Sequence, residues 1–133
     1  MIDTNSIIRE YLAVNTGVSA IVGGEVYWPR LPENASLPAV SLFTRGGVTN
    51  PHIETLPCPS TQIDCWAISS LAARTLYRAV YDALEGIQRQ AVTLDGTTYY
   101  IMSAVEEVQG QDLVDAEIQG YFRCLSFWQF MVR

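Results

Sequence analysis

One histidine, three cysteines and fourteen acids are the residues of this chain that could move protons, attack a carbonyl or hold a metal. His52 stands in the stretch GGVTNPHIETLPCPS, with no serine or cysteine arranged around it as a nucleophile needing a base. A lone histidine in such a loop is most simply a solvated one. Cys58, Cys65 and Cys124 lack metal-ligand spacing. Cys65 and Cys124 sit inside apolar alternating runs, where cysteine behaves as a small core hydrophobe. No P-loop, dinucleotide, zinc-protease or C-x-x-C pattern is present, and no acids follow EF-hand spacing. The expectation is a protein that is not an enzyme and carries no cofactor and no metal.

The acids do gather in one place. Six of them and no base lie between Asp95 and Glu117. Glu106, Glu107, Asp112, Asp115 and Glu117 are therefore candidates for a negative surface, which either meets a basic partner or lets a polyanion pass without sticking. A net charge of -6 argues against adhesion to a phosphate backbone or an anionic membrane. An odd number of cysteines without a framework points to a reducing compartment. The first residues lack the features of a signal peptide, and no apolar run approaches the ~20 residues a membrane helix needs, so a soluble, cytosolic protein is expected.

The elements that would position these residues are readable from period. TQIDCWAI alternates, with Ile63, Cys65 and Ala67 on one side and Gln62, Asp64 and Trp66 on the other, as in a strand with one face in a core. Ser69-Ser70 then offers a helix cap, and the period changes to 3.6. Ala72, Leu76, Ala79, Val80, Ala83, Leu84 and Ile87 form the apolar stripe, Arg74, Arg78, Asp82 and Glu85 the wet side, and Gly86 closes the helix. Asp3 or Thr4 caps an earlier helix through Ile7, Ile8, Tyr11 and Leu12, and VSAIV adds one more turn before Gly23-Gly24. Glu25 to Trp28 reads as a short strand, and Pro38 opens a second through AVSLFTR.

Residues 46 to 60 carry two glycines and three prolines and are expected to be a long projecting loop, with Gly47, Asn50, His52 and Glu54 at its surface. Asp95-Gly96 between β-rich runs marks a hairpin, and Gly110 marks a break in the acidic stretch. The last strand is dense in aromatics, so Phe127, Trp128, Phe130 and Met131 are candidates for an interface. If it neighbours the strand at Thr61–Ile68, Arg123 and Asp64 share one face and can pair. The whole is one α+β domain over residues 1–133, a mainly antiparallel sheet with two principal helices packed on one face.

E-V-Y-W-P-R-L-P, L-P-A-V-S-L-F, T-Q-I-D-C-W-A and A-A-R-T-L-Y-R-A-V-Y-D-A-L follow one another in an order that resembles the tail completion proteins of long-tailed phages, the tail terminator or tail-to-head joining family. Val26-Tyr27, Leu37 to Val40, Gln62 to Trp66 and Ala72 to Leu84 stand where that family has its short strand, its proline-led strand, its QID strand and its Ala/Leu-rich helix. The likeness covers roughly residues 5 to 130, and the proline-rich stretch at 46–60 departs from it. It implies a tail-terminator-like fold and a hexameric ring, formed in some cases only on assembly. The ring would cap the completed tail tube, dock on the head connector or head-closure protein, and let DNA through its lumen. The family has no catalytic residues to carry over. Its place would be the host cytoplasm during assembly and then the virion, at the tail–head junction. Another neck or tail component, such as a head-closure protein or tube subunit, and a small bacterial binding module are the alternatives.

Overall fold

In the computed structural model, which describes residues 2–49, 52, 56–114 and 121–133, the chain forms three helices and one six-stranded sheet. Helix α1 (Thr4–Val14) starts where the Asp3 carboxylate accepts the Ser6 amide at 3.2 Å, which satisfies one of the orphan N–H groups of a first turn. Asn15 then serves two helices. Its backbone N–H donates to the Tyr11 carbonyl, closing α1, and its side chain accepts from the Gly17 and Val18 amides to open α2 (Thr16–Val22). The single turn expected from VSAIV is thus a helix of seven residues, ended by Gly23 at φ 61.

The strands are β1 (Val26–Tyr27), β2 (Ala39–Val48), β3 (Cys58–Ala67), β4 (Gln90–Leu94), β5 (Thr97–Val114) and β6 (Phe122–Val132), with α3 (Ser70–Leu84) between β3 and β4. Their order across the sheet is β1-β2-β3-β6-β5-β4, antiparallel throughout except for β1 beside β2. The fold is α+β. Asp95 and Gly96, at φ 51 and 80, make the two-residue turn between β4 and β5, where both positions need left-handed backbone.

One apolar core joins the helices to the sheet. Ile63, Cys65 and Ala67 of β3 are buried in it, as the alternation requires. Helix α3 buries Ala73, Leu76, Tyr77, Val80 and Leu84. That stripe lies one residue round from the expected one, leaving Ala72, Ala79 and Ala83 half-buried at its margin. The larger side chains fill the space over β3, β5 and β6, while the alanines lie beside it. Arg9 ties α1 to β1 through its Nε and the Val26 carbonyl at 2.7 Å, and the Tyr11 hydroxyl donates to the Ala83 carbonyl of α3.

Two expectations fail for reasons of local geometry. Residues 46–60 are not one loop: β2 continues to Val48, β3 begins at Cys58, and Gly47 lies opposite a buried Pro59 across a register shift. A proline with no N–H to give is tolerated at such an irregular pair. A Cβ at Gly47 would come within 2.3 Å of the Cys58 carbonyl oxygen, so the strands close only around glycine. Gly110 likewise does not break its strand. β5 runs on for 18 residues and absorbs three register shifts, two of them flanking Val108.

Among the described residues the core contains one polar flaw. The Thr61 hydroxyl is buried and has no hydrogen-bond partner among the described residues. Thr61→Val, which keeps the shape and removes the desolvated oxygen, is expected to raise stability by about 1 kcal/mol. A urea midpoint that falls instead would show that the oxygen does have a partner.

Candidate functional site

On the side of the sheet turned away from α3, polar and aromatic groups meet at the middle strands. Alternation brings Asp64 and Trp66 of β3, Ser41 of β2 and Arg123 of β6 to this side, because Ser41 pairs with Asp64 and Trp66 with Arg123. Trp66 Nε1 donates to Ser41 Oγ at 2.9 Å, and its ring stands edge-on to Tyr121 with centroids 6.4 Å apart. The Arg123 guanidinium lies 5.3 Å from the centre of the Trp66 ring and 3.8 Å from Asp64 Oδ1. The pairing expected from adjacency is therefore present.

Asp64 is only 4% exposed although its face carries no core. Burial raises its pKa above the ordinary carboxylate value, and Arg123 and a Gln62 amide 3.3 Å from both oxygens oppose that rise. Next to this cluster, Arg45 stacks over Phe127 at 3.8 Å from the ring centre. Guanidinium groups laid on aromatic rings suit recognition of planar or anionic groups. Among the described residues, no three His, Cys, Asp or Glu side chains come together as a metal site.

The described acids of the stretch do not form one surface. Glu106 pairs with Trp128 in the ladder and accepts the Tyr77 hydroxyl at 2.5 Å, half-buried under α3. Glu107, the next residue, points the other way and accepts from Ser60 Oγ at 2.6 Å. Asp112 returns to the α3 side and sits 3.8 Å from Arg74. A strand sends neighbours to opposite faces, so a run of acids along it is divided between them. Asp115 and Glu117 lie outside the described residues.

The Tyr77–Glu106 contact has a signature in alkali. Burial, then the hydrogen bond to Glu106, raises the Tyr77 pKa from 10.0 to about 12. A folded-state pKa above the unfolded one gives stability that is complete below pH 10.0 and is lost as pH rises toward about 12. Tyr77→Phe is expected to flatten that loss and to cost about 1 kcal/mol at neutral pH, where Glu106 is left without its donor. Denaturation curves at several alkaline pH values measure both effects.

The proposed interface strand also divides by face. Trp128 and Phe130 are 1% and 0% exposed in the core, whereas Phe127 and Met131 lie half-buried on the opposite side, so only these two remain available to a partner. Of the loop candidates, Gly47 belongs to β2, His52 is exposed in a turn, and Asn50 and Glu54 lie outside the described residues. Exposed apolar groups occur elsewhere. Ile68 and Leu71, 73% and 79% exposed, border a groove with Ile21, Leu37 and Pro38 at the start of α3. Val48 and Val105 border a second one with Cys58 and Met131. Leu71 had a readable signal, since it falls off the apolar stripe of its own helix.

Among the described residues, no helix is long and apolar enough to cross a membrane. Comparison with protein-family models and with curated proteins finds no match for this chain.

Proposed function

We propose that this chain is a phage or prophage tail terminator, a structural protein whose ring caps the completed tail tube and forms the tail-to-head joining interface. The observation that carries the reading is the placement of the four segments that resemble that family. The Val26-Tyr27 strand lies parallel to the strand opened by Pro38, that strand pairs with the one carrying Gln62 to Trp66, and this one feeds α3 directly. Segments that are short and separate in sequence make one continuous unit. In the proposed architecture α1 and α3 lie on one face of the sheet.

The surface supports self-association. β1 pairs only with Val40 and Ser41, so among the described residues most of β2 has no strand on that side. β4 is the other edge of the sheet. Open edges accept strands from neighbouring chains, and the exposed valines and leucine described above give apolar area for the same purpose. The protein acts through its shape, without catalysis, cofactor or metal. Its partners are further copies in a hexameric ring that forms on assembly, the tail tube protein, and the connector or head-closure protein. DNA passes the lumen without specific binding, in keeping with the net charge of -6. The ring forms in the host cytoplasm and stays in the virion.

Purified protein mixed with tail tubes and viewed by electron microscopy tests this. One ring at one tube end is expected. Long stacks of the protein alone would make it a tube subunit, attachment to connectors but not to tubes a head-closure protein, and a monomer that ignores both a binding module.

A further inference from the structure

Cys65 on β3 and Cys124 on β6 stand opposite one another in the antiparallel ladder, and both are free thiols, 0% exposed, in the same core cluster. Opposed residues of such a pair carry their side chains on one face, with Cα atoms about 4.5–5.5 Å apart. A disulfide spans about 4.4–6.8 Å, so the backbone already meets its requirement. The two thiols differ in surroundings. Arg74 Nη1 donates to Cys124 Sγ at 3.3 Å and also holds the Gly110 carbonyl at 2.9 Å. Above Cys124 lie Gly110, which has no side chain, and Arg74, whose side chain is 45% exposed. Both sulfurs are fully buried and the Tyr77 ring closes the other flank, so a small oxidant reaches Cys124 when the Arg74 side chain swings aside. Burial raises both thiols; at Cys124 the Arg74 contact works against the rise while the Asp112 carboxylate adds to it, and at Cys65 the neighbouring Cys124 and Asp64 add to it with no cation opposing.

We propose that Cys65 and Cys124 are a peroxide-oxidised pair that closes to a cross-strand disulfide, with Cys124 attacking, Cys65 resolving and Arg74 as a positioning residue. Cys124, having given up its proton beside the guanidinium, attacks one oxygen of hydrogen peroxide. The O–O bond breaks, the departing hydroxide takes up the lost proton as water, and Cys124 is left as a sulfenic acid. The Cys65 sulfur then attacks the Cys124 sulfur. An S–S bond forms, the S–O bond breaks, and the hydroxyl leaves as water with the proton of Cys65. Two electrons pass from the thiols to peroxide, and two waters result.

The folded full chain is treated with hydrogen peroxide, its remaining thiols are alkylated, and its peptides are mapped by mass spectrometry. The expected product joins Cys65 to Cys124 and leaves Cys58 alkylated. Because the link closes a long loop, the melting temperature should rise by roughly 10 °C and fall back on reduction. Arg74→Gln should slow the link several-fold and move its pH profile to higher pH, while Arg74→Lys restores part of the rate. Cys65 and Cys124 both recovered as free thiols, or a link made through Cys58, would overturn the pair. A rate and pH profile unchanged in Arg74→Gln would overturn the role of Arg74.

Discussion

Replacing Trp128 by alanine is expected to cost about 3–5 kcal/mol. The indole is 1% exposed and sits in the strand that joins the two halves of the sheet, opposite Thr61 on one side and Glu106 on the other. Its ring lies 5.8 Å from that of Tyr81 on α3, and its Nε1 donates to Ser126 Oγ at 3.1 Å. Truncation opens a cavity that strands held on both flanks cannot close, and it leaves the buried Ser126 hydroxyl without that partner. Against a total of about 5–15 kcal/mol for a domain, such a loss is about a fifth of the stability or more. Urea unfolding should show a much lower midpoint at an unchanged slope. A drop under about 1 kcal/mol would mean that the ring does not fill the space assigned to it.

Gly110→Ala is expected to cost about 1–3 kcal/mol, a large penalty for adding one methyl group. The new Cβ would stand 2.7 Å from Arg74 Nη1, 2.8 Å from Cys124 Sγ and 2.9 Å from Tyr77 Cε2. Arg74 can swing aside, but Cys124 is buried between neighbouring strands and Tyr77 is anchored by Glu106, so the bulge itself must move. The clash has a direct check. In a Cys124→Ala background the sulfur is gone, and the cost of Gly110→Ala should shrink by half or more. Strictly additive losses in that double-mutant cycle would place the strain elsewhere.

Gly110 also shows where the sequence stops being legible. A glycine inside a polar strand reads equally as a break or as a close approach, and only the arrival of Arg74, Tyr77 and Cys124 from other elements decides between them. Pro59 is illegible for a related reason, since the register shift that accommodates it depends on Gly47 across the ladder. By contrast, α3 is readable to within a residue or two, and β3 from Thr61 onward, because cap, period and burial agree there: Ser69 accepts the Ala72 amide at 3.1 Å where the period changes. The Asp64–Arg123 pair was legible once adjacency of the two strands was assumed. The acidic stretch is legible as charge but not as surface, because Gly110 reads as a break and hides the one continuous strand whose alternation sends Glu106 and Glu107 to opposite faces.

The strand order has a kinetic consequence. β2 with β3, β4 with β5, and β5 with β6 are neighbours both in sequence and in the sheet, whereas β3 meets β6 only after α3, β4 and β5 have intervened. Local hairpins form at small chain-entropy cost, and the distant join must close a long loop before its contacts repay it. The barrier to folding therefore belongs to the meeting of Ile63 with Ser126 and its neighbours. Substitutions along that line slow the approach to the native state, while those at the β4–β5 tip mainly hasten departure from it.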